Sequence, residues 1–355
     1  MAKQIKMNRV KNIYYMLAYA FEKLNGKSYK KLAEEKFDNI AELFAEILIL
    51  SIPYQIKKGL GKTYIQKVAE LSSLHGKIDI DYSIKTQSLL RKKLVCVYDE
   101  FSVNSLMNKI IKTSMQNLLS ADIKKEQKKK LRQLLLFFCE VETIDLNSVR
   151  WNIQYNRNNK TYQMLIYICH LLFKCVLQKQ SDGTIKIMDF IDEQNISHLY
   201  EKFILKYYQK HFHEIKTNAK KIKWQLDDDN NNMLPEMKSD VMLEYKENIL
   251  IIDAKYYKKS TIKHYNNLEK WHSSNLYQIF AYVKNKQIEQ PKYKVSGMLL
   301  YAKTVEENHC QSDYKMSGNQ IGARTLDLNK DFSEIKKQLN EIIFDEKYLN
   351  FVQAA

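Results

Sequence analysis

The sequence predicts an α+β fold: a mostly helical N-terminal region carrying a small β-sheet, followed by an α/β core in which helices flank a central mixed sheet. Three observations carry that expectation. Apolar residues recur at helical spacing through most of the first 183 positions, strand-like alternation there is confined to about residues 64–100, and from about residue 184 the pattern changes to helix, strands, helix, strands, helix. The 355 residues exceed the roughly 250–300 at which one core stops growing, so the pattern change is read as a boundary between a region 1–183 and a region 184–355.

Helices are expected over 10–24, where Ile13, Met16, Leu17 and Ala20 share a face, and over 37–51. The Tyr14 and Tyr15 side chains of the first read as core packing rather than as an interface. GLGKT at 59–63 ends like a nucleotide-binding loop, but Ile56 stands where the first glycine belongs, so the phosphate cradle lacks backbone freedom and no nucleotide is expected on this chain. KIDIDYSI after His75-Gly76 and KLVCVYDE read as strands of a small sheet. Helices follow near 103–120, 122–139 and 161–178, with the polar NRNNK at 156–160 before the last. KKEQKKKLR at 124–132 reads as a solvated helix face able to add nonspecific phosphate contacts.

In the second region DEQNISHLYEKFILKYYQKHF reads as a helix, and KIKWQL, SDVMLEY, NILIIDAKYY and VSGMLLYA as strands. SNLYQIFAYVK reads as the helix between the last two, and a closing helix lies near 331–346. The DDDNNN run at 227–232 is a solvated loop.

Composition narrows the function. Hydrophobic residues at 45% and charged residues at 28% describe a folded globular chain. An excess of 57 Lys and Arg over 41 Asp and Glu, a formal charge of +16, favours polyanions, nucleic acid first. Five cysteines without a CxxC pair indicate neither a zinc knuckle nor a disulfide framework, and no apolar stretch reaches about 18 residues, so a cytoplasmic, membrane-free protein is expected.

The chemistry concentrates in SDVMLEY and NILIIDAKYY, two strands joined by a polar turn around Glu247 and Asn248. Pairing Lys246 with Ile249 sets Asp240 opposite Lys255, with Asp253 on the same face because strand residues two apart point the same way. Two carboxylates suit a divalent cation, Mg²⁺ or Mn²⁺ in its place, and the Lys255 ammonium suits a nucleophilic water and a phosphate. Placing charges directly after four apolar residues is costly unless they are used. On the preceding helix Glu201 is a third candidate metal ligand. On the following helix Gln278 and Tyr282, four apart, project together, with Gln278 able to contact DNA or the attacking water.

With these residues the chain resembles the McrC family, the nuclease subunits of McrBC systems that cut DNA containing modified cytosine. The resemblance runs through VKNIYYMLAYAF, the segment from HGKID to YDEFSVNSLMNKIIK, MLPEMKSDVML, ILIIDAKYYK and HSSNLYQIFAY. It implies a PD-(D/E)XK nuclease core at 184–355 with Asp240, Asp253, Lys255 and Gln278 catalytic, Gln278 and Tyr282 matching the QxxxY helix of RecB-like and lambda-exonuclease-like relatives. It also implies that 1–183 docks on a hexameric AAA+ GTPase, McrB-like, whose GTP hydrolysis it stimulates and which reads the methylated base; the substrate is double-stranded DNA carrying modified cytosine. The Gly76-Lys77 turn is the candidate inserting element. Two departures stand out: Pro235 lies five positions before Asp240, and the middle acid is Asp253 rather than glutamate. Two other readings compete, a self-sufficient Mg²⁺-dependent nuclease and a regulatory adaptor of the GTPase with a vestigial site.

Overall fold

A computed structural model describes residues 2–21, 24, 31–176, 193–228, 232–257, 261–263, 269–303 and 311–352. The chain forms two compact units, Met1–Leu43 with Asp189–Ala355, and Phe44–Met188. The expected break at 183/184 lies outside the described residues, as do Asp229, Asn230 and Asn231 of the polar loop and Cys310.

Helix α1 (Ala2–Ala20) belongs to the first unit. Its outward-looking aromatic residues are not free: Tyr15 stacks on Phe332 at 4.2 Å and Tyr19 meets Phe203 edge-on at 5.4 Å, while the Asn12 amide donates to the carbonyls of Leu328 and Lys330 at 2.8 Å each. The first 43 residues therefore pack with the C-terminal elements, whereas the sequence pattern grouped them with the rest of 1–183. Periodicity tells which face of a helix is apolar, not which body that face covers.

The second unit contains most of α2 (Ile40–Lys58), then β1 (Thr63–Leu71), β2 (Lys77–Ile78), α3 (Ile80–Lys85), β3 (Leu94–Ser102), α4 (Leu106–Leu119), α5 (Lys125–Leu135) and α6 (Gln163–Val176). Phe44, Leu48, Ile110, Met115, Leu131 and Ile168 build its core. The three strands form one antiparallel sheet in the order β1-β3-β2. KIDIDYSI was expected to be a strand throughout. Only Lys77 and Ile78 pair, because the Asp79 carboxylate accepts from Tyr82 N–H and caps α3, turning the rest into a helix. Gly76 has φ +70°, and a Cβ there would meet the Val97 carbonyl at 2.4 Å, so this turn is pressed against β3. GLGKT runs into a strand rather than a helix, and Gly61 is held by the protein itself: its N–H donates to the Tyr162 hydroxyl and its carbonyl accepts from Asn108.

The first unit continues with α7 (Glu193–His211), β4 (Lys216–Asn218), β5 (Lys221–Ile222), β6 (Met237–Lys238), β7 (Val241–Tyr245), β8 (Asn248–Lys255), β9 (Thr261–Lys263), β10 (Glu269–Trp271), α8 (Ser273–Glu289), β11 (Lys294–Lys303), β12 (Gln311–Met316), β13 (Asn319–Asp327) and α9 (Phe332–Phe344). Of the expected strand KIKWQL only its first two residues pair, with β6. The central sheet runs β12-β13-β11-β8-β7-β4. Strands β4, β7 and β8 are antiparallel neighbours, β8, β11 and β13 are parallel, and β12 returns antiparallel to β13. The β8-to-β11 crossover carries α8, as a parallel pair requires.

This sheet is covered on both faces. Ile249 and Ile251 lie under Ile279 and Val283 of α8, and Leu250 and Ile252 point the other way and are equally buried. That double cover is why the sequence of β8 is a continuous apolar run rather than an alternation, and why the alternate residues Leu250 and Ile252 alone do not make the core. Helix α8 sits on β11 at Gly297, where a Cβ would come within 2.6 Å of a Val283 methyl. Among the described residues no helix is long and apolar enough to cross a membrane.

Candidate active site

Tyr245 pairs with Asn248 across a two-residue Lys246-Glu247 turn, and Val241 pairs with Ile252. Continuing by one pair sets Asp240 across from Asp253, not across from Lys255. The register expected from the sequence is thus off by two, because Lys246 takes a left-handed φ of +49° and the turn closes one residue earlier than the Glu247-Asn248 pair suggested. A shift of two preserves parity, so Asp240, Asp253 and Lys255 share the face that carries Met242 and Ile251, under α8.

Asp253 is 2% exposed at the end of an apolar strand. The Lys255 Nζ lies 2.9 Å from the buried Asp253 Oδ2 and forms an ion pair with it. Asp240 Oδ2 accepts from the Ala254 N–H at 2.9 Å, which ties the carboxylate to the facing strand. Burial, then the neighbouring charges of Asp253 and Glu201, push the Asp240 carboxyl up to about 8. Burial also raises Asp253, against the opposing pull of Lys255. For Lys255 burial acts downward, but Asp253 outweighs it and holds the ammonium above its usual range.

Gln278 reaches this group from α8. Its Oε1 accepts from Lys255 Nζ at 3.1 Å and its Nε2 donates to the Tyr282 hydroxyl at 2.9 Å, so the paired helical positions form a relay onto the lysine. Glu201 of α7 is near enough to raise both aspartates electrostatically, yet its own carboxylate is engaged by Ser197 Oγ at 3.1 Å and lies 3.5 Å from His198 Nδ1. Among the described residues no three His, Cys, Asp or Glu side chains form a group able to hold a metal ion, so Glu201 does not complete a triad with the two aspartates in this conformation.

Sequence reasoning missed Tyr301 and Asn275. Tyr301 is fully buried on β11 beside Lys255 in the β8–β11 register, stacks on Trp271 at 5.2 Å and receives a 3.0 Å hydrogen bond from Asn275 of α8. Asn275, Gln278 and Tyr282 lie on one helical face, three and four residues apart, so this bond pins the turn of α8 that precedes Gln278. The same-face spacing of Asn275 was the available signal; the β8–β11 register was not readable across a helical crossover.

The fold and the paired acids with their amine sit in a chain of the restriction-system class. Residues 2–302 match the family described as McrBC 5-methylcytosine restriction system component, and the chain belongs to that family. It is 28% identical over 302 residues to the type IV methyl-directed restriction enzyme EcoKMcrBC of Escherichia coli (strain K12), covering 82% of this chain and 85% of that protein. Among solved structures it is similar to a chain of the half-complex of Thermococcus gammatolerans McrB AAA+ hexamers with bound McrC. There the identity is 16% and the TM-score 0.44, over 92% of this chain and 76% of that one. For the T. gammatolerans McrBC complex the identity is 18% and the TM-score 0.40, over 57% and 59% of the two chains.

Proposed function

We propose that this chain is the Mg²⁺-dependent, PD-(D/E)XK-type DNA-cleaving subunit of a modified-cytosine restriction system. One observation carries the reading: a hairpin sets the buried Asp253 carboxylate face to face with the partly buried Asp240 carboxylate, with a lysine ion-paired beside them. Burying two acids together is unfavourable unless a cation joins them, and both aspartates respond by holding protons more tightly. Hard carboxylate oxygens of this kind fit Mg²⁺, or Mn²⁺ in its place. Asp240 and Asp253 would hold the ion. When bound, it supplies Lewis-acid stabilisation of the phosphoryl oxygens and a more acidic water. The chain's own residues do the rest: Lys255 orients the attacking water and offsets phosphate charge, Gln278 and Tyr282 hold the ammonium in place, and the Ala254 N–H fixes Asp240. Helices α7 and α8 flank the hairpin in the order such nucleases use.

Membership in a two-component restriction family supports a partner, a hexameric AAA+ GTPase that reads the modified base in double-stranded DNA and whose GTP hydrolysis this chain stimulates. The second unit offers a surface for it: Tyr64, Val68, Ile84, Leu90 and Phe101 are more than half exposed on and beside the three-stranded sheet, which is costly to leave in water. GLGKT provides no nucleotide site of this chain's own in this reading.

The test is cleavage of methylated duplex DNA by the chain with its partner, GTP and Mg²⁺. Asp253→Ala is expected to lower the rate by about a thousandfold or more while leaving stimulation of GTP hydrolysis intact. Undiminished cleavage by that variant overturns the reading. Cleavage by the wild-type chain without partner or nucleotide favours a self-sufficient nuclease, and GTPase stimulation without any cleavage favours an adaptor.

A further inference from the structure

Helix α5 of the second unit carries Lys125, Lys128, Lys129, Lys130 and Arg132 within eleven residues, Lys124 directly ahead of it, and a single acid, Glu126. Its inward stripe is Gln127, Leu131 and Leu134, all buried. The cations occupy the remaining faces: Lys125, Lys129, Lys130 and Arg132 are exposed and Lys128 partly so. Lys130 reaches Glu46 at 3.8 Å, and among the described residues Lys125, Lys128, Lys129 and Arg132 form no ion pair.

Helix physics argues against this arrangement on its own terms. Lys125 with Lys129 and Lys128 with Arg132 are like charges one turn apart, as are Lys125 with Lys128 and Lys129 with Arg132, and such pairs repel. Cations in the first turn also oppose the helix dipole, and Lys124 provides no side-chain cap. A solvated face needs no such concentration of one sign, since Glu at some of these positions would stabilise the helix. The cost is offset when a polyanion lies along the surface. Eleven residues rise about 16 Å, the axial length of about five base pairs, over which a duplex presents a dense row of phosphates.

We propose that the outward face of α5 is a phosphate-backbone track for duplex DNA, carried by the unit that does not hold the catalytic hairpin. The inference rests on the nuclease reading above for its choice of polyanion. It gives that unit a second task beside partner docking: keeping DNA engaged independently of base sequence.

The test uses the full chain with Asp253→Ala, so that bound DNA is not cut, and adds Lys125→Gln, Lys128→Gln, Lys129→Gln and Arg132→Gln together. Affinity for an unmethylated duplex of about 30 base pairs is followed by fluorescence anisotropy from about 0.05 to 0.3 M NaCl. Each lost phosphate contact lowers the slope of log affinity against log salt by about 0.9, so a fall of about 2–4 is expected, with binding about 10- to 100-fold weaker at the lowest salt. The thermal midpoint should be unchanged or raised, because the substitutions remove repulsion inside the helix. An unchanged slope and affinity overturn the proposal. So does a loss of GTPase stimulation with DNA affinity intact, which assigns the face to an acidic protein surface. Failure of the nuclease reading shows separately, as cleavage that survives Asp253→Ala, while the salt slope still reports on α5.

Discussion

The two sheets of this protein handle burial in opposite ways. In the first unit β8 is buried on both faces, and the charged groups it admits, Asp253 and Lys255, are placed where each meets a specific neighbour. In the second unit β1 and β3 leave Tyr64, Val68 and Phe101 in solvent, with Tyr64 and Phe101 paired across the strands at 5.0 Å. One sheet buries charge and the other exposes apolar surface. Each departure from the usual partition fits the proposed function: a reaction centre in the first case, a surface for another body in the second.

The largest expected effect falls on the charged side of this contrast. Asp240→Asn should reduce DNA cleavage about a thousandfold or more in a partner-dependent assay, yet stabilise the protein at alkaline pH. The folded-state Asp240 carboxyl titrates at about 8 against 3.8 in an unstructured chain. Between those values the folded state keeps a proton the unfolded state has lost, so its stability falls as pH rises through that window. The asparagine variant escapes the decline and should be more stable at pH 8 by about 1–3 kcal/mol, read by urea denaturation at pH 5 and pH 8. Mg²⁺ should raise the thermal midpoint of the parent and not of the variant. A variant less stable than the parent at pH 8 would mean the carboxyl is not strained.

Gln278→Ala should lower cleavage about 10- to 100-fold, by releasing Lys255, and shift the alkaline limb of its pH–rate profile. Tyr301→Phe, which breaks only the bond to Asn275, should have a smaller effect of the same kind, about tenfold; a larger effect than Gln278→Ala would reverse the proposed order of the relay. Gly76→Ala tests how tightly the exposed sheet is built. Positive φ and contact with Val97 O should cost about 1–3 kcal/mol in chemical denaturation. The smallest stability change is expected where the surface is wet: Tyr64→Ser with Phe101→Ser should change stability by no more than about 0.5 kcal/mol, while stimulation of GTP hydrolysis drops. Retained stimulation would remove the contrast drawn above.

Much of the candidate site's geometry was legible in the chain. ILIIDAK announced a doubly covered strand whose apolar run stops at two charges, and strand parity put Asp240, Asp253 and Lys255 on one face. The register was not legible, because Lys246 takes a backbone conformation that turn preferences reserve for Gly, Asn and Asp, and Asn248, which those preferences favour, lies inside the strand. Asp79 as a helix cap within an alternating stretch hid α3. The company kept by α1 and the placement of Tyr301 beside Lys255 depend on contacts more than 40 residues apart, which no local pattern encodes.

Gly297 has a consequence for how this centre tolerates change. With no side chain of its own, Gly297 of β11 receives the Ile279 and Val283 side chains of α8, and the same rigid rod carries Asn275, Gln278 and Tyr282. One methyl group at that contact would act as a shim, lifting the rod and parting Gln278 from Lys255 without altering either residue. The chemistry is thus hostage to a position that makes no polar contact at all.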